Sequence, residues 1–153
     1  MINQSNRREG STISAYSGVL LVSSEELFIL QRRENRPSIS NPGQVSTFGG
    51  MSWPGESPIE CALREVQEEV SLSLKPDDLQ VLYTTSVAKQ DALIYCSFFF
   101  VRQIDPSALL LLEGEGIELL TSEEFHRHLK ITPLCRQACL CYLEIKKQRS
   151  QLA

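Results

Sequence analysis

Tyr16 to Val22 is apolar and rich in strand-forming residues, and Leu27 to Leu30 follows after the polar turn Ser23-Ser24-Glu25-Glu26. Together they predict a β-hairpin. Asn35 to Gln44, with Pro37, Pro42 and Gly43 among polar residues, predicts a loop. Val45 to Phe48 predicts a short strand ending in Gly49-Gly50, and Met51 to Glu56, with Pro54 and Gly55, a second loop. A helix start is written sharply after it. Ser57 is placed to cap, Pro58 suits the first helical position, and Glu60 completes a capping box. Ile59, Leu63, Val66 and Val70, with Ala62 beside them, mark one apolar stripe of a helix that ends near Val70. Leu79 to Ser86 and Leu93 to Val101 read as paired or neighbouring strands around Lys89-Gln90-Asp91. Ile117 to Leu120 is a short apolar run, after which Thr121 or Ser122 caps a short helix. Thr132-Pro133 opens a final helix with the stripe Leu134, Ala138, Cys141 and Ile145. Strands around one central helix, with two helices at the end, predict an α+β sandwich.

The chain has 153 residues, 42% hydrophobic and 22% charged, which fits one globular domain and excludes a disordered or collagen-like chain. We expect a flexible segment at 1–12 and a single domain over 13–149. A net charge of −4 argues against a protein that wraps nucleic acid. Five cysteines at irregular spacing predict free thiols in a reducing compartment. MINQSNRREG has no signal-peptide core, and the longest aliphatic run, Ala108 to Leu112, is too short for a membrane span. The expectation is a cytoplasmic protein with a small-molecule partner, no membrane and no nucleic-acid polymer; a homodimer is left open.

At about 100° per residue, Leu63, Val66 and Val70 stay within about 40° of Ile59. Glu65, Glu68 and Glu69 fall on an arc from about 180° to 280°, opposite the apolar stripe. Like charges at these spacings repel, Arg64 is the helix's only cation, and Glu56 adds a further carboxylate. Such a cluster is either a solvated acidic face or an oxygen-ligand set of the kind preferred by Mg²⁺ or Mn²⁺.

The linear pattern decides between them. Gly50, five residues, Glu56, seven residues, then Arg64-Glu65-Val66-Gln67-Glu68-Glu69-Val70-Ser71-Leu72 closely resembles the signature box of the Nudix hydrolases. At roughly 6% usage per residue type, its six charged or glycine identities have chance odds on the order of 10⁻⁷ per start site. The resemblance implies a Nudix fold, a mixed β-sheet sandwiched between α-helices. It also implies divalent-metal-dependent hydrolysis of a nucleoside diphosphate linked to another group. Carried over by position, Glu65, Glu68 and Glu69 become ligands of Mg²⁺ or Mn²⁺, and the Gly49 carbonyl joins them. Arg64 and Glu56 would orient these carboxylates, and Gly50 belongs to the box structure. One position departs: Ser71 stands where the family has Gly, at a helix end that often needs φ > 0.

Further signals lie outside the box. Glu113-Gly114-Glu115 with Glu118 resembles the late acidic loop from which some members supply another metal ligand or base, with Glu113 the first choice. Arg32, Arg33 and Arg36 are candidates for substrate phosphates and equally readable as ordinary solvated arginines. Phe48, Tyr83 and Tyr95 are candidates for base stacking, although aromatics in strands more often belong to the core. Cys135, Cys139 and Cys141 read as buried hydrophobes rather than a zinc site, and His126 and His128 cannot share a helix face. In the family that the box resembles, a Pro or a Tyr some way past the box is associated with ADP-ribose or dinucleoside polyphosphate hydrolases respectively; Val87 to Gln90, at that place here, holds neither. By elimination a nucleoside triphosphate, canonical or damaged, is the expected substrate. The alternatives are ADP-ribose, a nucleotide sugar or another diphosphate compound, and, from another class, a non-catalytic nucleotide-binding sensor. An isopentenyl-diphosphate isomerase is disfavoured because Asn35 to Phe48 lacks a Cys.

Overall fold

The computed structural model describes residues 13–152, so the segment expected to be flexible, 1–12, lies outside the described residues. Strands β1 (Ile13–Ser23) and β6 (Ala92–Ile104) run parallel at the centre of one seven-stranded mixed sheet. β5 (Gln80–Lys89) pairs antiparallel with β6 as a hairpin. On the other side, β1 pairs antiparallel with β2 (Phe28–Arg32) through Leu21 and Val22, and with β4 (Phe48–Met51) through Tyr16 to Val19. β3 (Val45–Ser46) and β7 (Gly116–Leu120) both pair with β2. The chain thus crosses from β2 to β1 at Thr47, which inserts the glycine pair where those two strands separate.

Helices cover both faces of this sheet. Successive β1 residues alternate, with Val19 and Leu21 packing with Ala62, Val66 and Val70 of α1 (Pro58–Val70). Leu20 and Val22 pack with Ala138, Cys139 and Tyr142 of α3 (Pro133–Gln151), and α2 (Ser122–Arg127) adds Phe125. Two buried faces explain why Val19 to Val22 is a continuous apolar run rather than an alternating one. The architecture is the expected α+β sandwich, a mixed sheet between helices.

Local signals account for the helix starts. Ser57 Oγ accepts from the Glu60 N–H while the Glu60 carboxylate accepts from the Ser57 N–H, the predicted capping box. Thr121 and Thr132 cap α2 and α3 with the side-chain oxygen alone, accepting from the Glu124 and Cys135 N–H groups. Three details differ from expectation. Gly49 and Gly50 lie inside β4, because their small size lets this edge segment press against β1 and α1. Ile59 is exposed, and the buried stripe of α1 runs through Cys61, Ala62, Glu65, Val66, Glu69 and Val70. The buried stripe of α3 is Cys135, Ala138, Cys139 and Tyr142, one residue round from the predicted one, so that Tyr142 fills the space over Phe28 and Phe100.

α1 ends at Ser71, which is left-handed at φ 55, ψ 34. Its N–H donates to the Gln67 carbonyl and the Leu72 N–H to the Val66 carbonyl, a closure that ordinarily favours Gly. Ser71→Gly is therefore expected to stabilise the fold by about 1 kcal/mol, measured by denaturant unfolding, with turnover little changed. A loss of stability contradicts this reading.

Candidate active site

The bare backbone of β4 makes room for the carboxylates of α1. Gly49 sits at φ 153, and its N–H donates to Glu69 Oε2 at 3.0 Å. A Cβ on Gly50 would lie 2.4 Å from Glu65 Oε1. Glu65 and Glu69 are accordingly buried, at 8% and 4% exposure, whereas Glu68 is exposed. This corrects the helical-wheel expectation that all three face away from the packed side. Without side chains at 49 and 50, the face of α1 that meets β4 is itself acidic.

Arg64 ties most of the box together. Its Nε and Nη2 donate to the two oxygens of Glu56 at 2.8 and 2.9 Å. Its Nη1 donates to Glu65 Oε1 at 2.8 Å and Glu68 Oε2 at 3.1 Å. Nη2 also reaches the Met51 carbonyl at 3.0 Å. The guanidinium holds the Glu56 carboxyl down at about 2. Glu56 thus stays ionised and bonded to Arg64 until the pH falls to about 2. Glu69 has no such cation. Burial pushes it up to about 8 against the Gly49 N–H, and Glu65 and Glu113 add to the rise. Burial also raises Glu65, which Arg64 opposes.

The sign of the resulting pH dependence follows. A carboxyl raised from 4.5 to about 8 binds more protons folded than unfolded across that window, so its contribution to stability falls as pH rises through it. In chelator, the parent is expected to lose stability relative to Glu69→Gln between about pH 5 and 8, read by thermal unfolding. Parallel curves contradict the burial of a titrating carboxyl there.

The loop before β7 completes the site. The Leu110 N–H donates to the Val70 carbonyl at 3.1 Å and the Leu112 N–H to the Glu69 carbonyl at 2.7 Å. These bonds satisfy carbonyls at the end of α1 and bring Glu113 to it. Gln31 Nε2 donates to the Glu113 carbonyl at 3.2 Å from β2. The result is a cavity of about 400 Å³ with Glu69, Glu113, Gln31, Glu34, Arg33 and Arg36 around it and Ile39 and Leu112 as apolar walls. Arg36 pairs with Glu34, and Arg33 Nε donates to the Ser40 carbonyl.

Other predicted residues are placed elsewhere. Arg32 alternates to the opposite side from Gln31 and Arg33, where it pairs with Glu118, itself held by His128; it does not line the cavity. Glu115 accepts from the Asn35 N–H and orders the loop. Phe48 is fully buried in the core under α1, so it offers no face to a base, because its strand is pressed between β1 and the helix. Tyr83 stacks on Phe98 at 4.7 Å and donates to the Leu134 carbonyl, and Tyr95 is exposed but not in the cavity lining. The five cysteines are free thiols. Several site residues escaped the sequence reading: Glu34, Ile39 and Leu112 of the cavity, Gln31, which bonds the Glu113 carbonyl, and Trp53, whose ring centroid lies 3.9 Å from the Arg64 guanidinium carbon.

Among the described residues, no three carboxylate, thiol or imidazole groups converge closely enough to hold an ion as they stand. The donor set nevertheless suits a hard divalent cation. Glu65 Oε2, Glu68 Oε1 and Glu69 Oε1 make no hydrogen bond among the described residues, and Glu69 lies in a buried position without a counter-ion.

The NUDIX domain matches residues 13–134, and the chain belongs to this family. It is a pyrophosphohydrolase of the Nudix type, whose general chemistry is hydrolysis of diphosphate compounds of nucleosides. Solved structures share the fold. The MutT protein from Methanosarcina mazei Go1 superposes with a TM-score of 0.73 at 18% identity, covering 90% of this chain and 98% of that one. The E. coli ORF135 protein gives 0.71 at 15% identity, covering 91% and 94%. A C. elegans Ap4A hydrolase in a binary complex gives 0.66 at 15% identity, covering 88% and 98%. Among the described residues no helix is long and apolar enough to cross a membrane.

Proposed function

We propose that the protein hydrolyses a nucleoside triphosphate, canonical or damaged, by water attack on phosphorus with Mg²⁺ or Mn²⁺ bound. The observation that carries this reading is one cavity lined by both Glu69 and Glu113 and by Arg33 and Arg36. Glu65, Glu68, Glu69 and Glu113, with the Gly49 carbonyl, would hold the cation. When bound, it supplies positive charge against the phosphate oxygens. Arg33 and Arg36 carry donors suited to phosphate oxygens, releasing Ser40 and Glu34 to bind them. The attacking water forms a bond to phosphorus as the phosphoanhydride bond breaks. Its proton passes to a carboxylate of the cluster, and the leaving phosphate keeps the bonding pair.

The test is a Mg²⁺-dependent turnover screen over nucleoside triphosphates, nucleotide sugars, ADP-ribose, dinucleoside polyphosphates and coenzyme A. The reading expects the triphosphates to show the highest kcat/KM. A stronger preference for ADP-ribose or a nucleotide sugar overturns the substrate and keeps the chemistry. Arg33→Ala is expected to raise KM roughly tenfold, by loss of a charge-assisted phosphate contact. An unchanged KM contradicts its place at the phosphates.

A further inference from the structure

Trp53 is the only tryptophan in the chain, and 59% of it is exposed. An exposed indole in a loop has little to gain from its surroundings, yet this one is engaged twice. Its backbone N–H donates to Glu56 Oε1 at 3.0 Å, and the Glu56 N–H donates back to the Trp53 carbonyl at 3.0 Å. Its ring covers the Arg64 guanidinium, whose carbon lies 3.9 Å from the ring centroid. The in-plane edges of that guanidinium are already committed to Glu56, Glu65, Glu68 and the Met51 carbonyl. Only its faces remain, and Trp53 takes one of them.

A guanidinium anchored at one edge by Glu56 can still rock about that edge. Stacking on an indole resists the rocking, because the cation is attracted to the ring face and the ring keeps water from it. What Trp53 steadies is then the opposite edge, where Arg64 Nη1 bonds one oxygen each of Glu65 and Glu68. Each of those carboxylates keeps its second oxygen uncommitted. Two like charges three residues apart would otherwise separate.

We infer that Trp53 is a positioning residue, which through Arg64 holds the Glu65 and Glu68 carboxylates side by side for a divalent cation. This rests on the metal-dependent reading above. It predicts that the ring sets metal affinity without contacting metal or substrate.

The test is calorimetric titration of the metal-free full chain with Mn²⁺, for the parent, Trp53→Ala and Trp53→Phe, with thermal unfolding of each in chelator. The expected result is a Kd for Mn²⁺ raised roughly three- to tenfold in Trp53→Ala, with Trp53→Phe within about twofold of the parent. Unfolding midpoints in chelator should agree within about 2 °C, as for an exposed side chain. A saturable change in Trp53 fluorescence on adding Mg²⁺ to the parent is expected as well. Equal affinities in all three proteins, or equal weakening in both variants, overturn the role of the ring. Tighter binding in Trp53→Ala overturns it too, since Arg64 would then be competing with the cation. A lowered affinity that comes with a large fall in the unfolding midpoint shows a structural residue instead. A parent that binds no Mn²⁺ removes the metal-dependent reading itself, an outcome distinct from the others.

Discussion

Glu69→Gln is expected to reduce turnover by about two to three orders of magnitude at a Mg²⁺ concentration that saturates the parent. Glu69 is the box carboxylate whose only partner among the described residues is a backbone N–H, that of Gly49. Its charge is costly in the folded protein, since burial and the neighbouring Glu65 and Glu113 hold its carboxyl up to about 8. At pH 7 in chelator the amide gives up no favourable ion pair, because Arg64 is bonded to Glu56, Glu65 and Glu68 instead. The variant should therefore be at least as stable as the parent without metal. Excess Mg²⁺ reverses the order, because binding to the folded parent adds about 2.7 kcal/mol at a hundred times Kd. The variant gains far less. Thermal unfolding with chelator and with Mg²⁺, beside turnover, reads both halves. A variant destabilised in chelator that still turns over near the parental rate would make Glu69 a structural residue.

The second large effect is expected at the glycine pair, where two adjacent substitutions should fail in different ways. In Gly50→Ala the new Cβ meets Glu65 Oε1 at 2.4 Å and its Cδ at 2.6 Å, the far end of a flexible side chain. The carboxylate moves aside and leaves Arg64 Nη1. Turnover should fall about a hundredfold, as for an ångström-scale misplacement, with a stability loss of about 1–3 kcal/mol. In Gly49→Ala the Cβ meets the Ser17 carbonyl at 2.1 Å and Gly18 Cα at 2.8 Å, at φ 153. Both obstacles are backbone of β1, so relief requires β1 and β4 to part, and the fold itself should be lost. Soluble yields and far-UV circular dichroism distinguish the two. A well-folded Gly49→Ala, or a fully active Gly50→Ala, contradicts this account of the pair.

Much of this site is written locally. The capping box at Ser57 and Glu60 and the acidic run of α1 are read from neighbours in sequence, the left-handed demand at Ser71 from the Gly that the resembled box has there, and each stands in the structure. The facing of Glu65 and Glu69 is not local. A helical wheel assigns charge to solvent, and only the bare backbone of Gly49 and Gly50, brought opposite by the sheet, makes a buried acidic face possible. Glu113 is likewise placed by non-local backbone bonds from Leu110 and Leu112 to the end of α1, which leave no residue signature. Arg32 was separable from Arg33 by strand alternation alone, since adjacent β-residues point to opposite sides. Phe48 is an aromatic beside a glycine pair, and its burial depends on α1 lying over β4, which its own segment does not state.

The central claim is that water attacks phosphorus in a reaction that needs a divalent cation. Hydrolysis of the preferred substrate in ¹⁸O-water with Mg²⁺, followed by mass spectrometry of the products, tests it most directly. The account predicts one ¹⁸O in a phosphate-containing product after a single turnover, and no reaction in excess chelator. Label found only on a carbon-bound oxygen, or full activity in chelator, would contradict it.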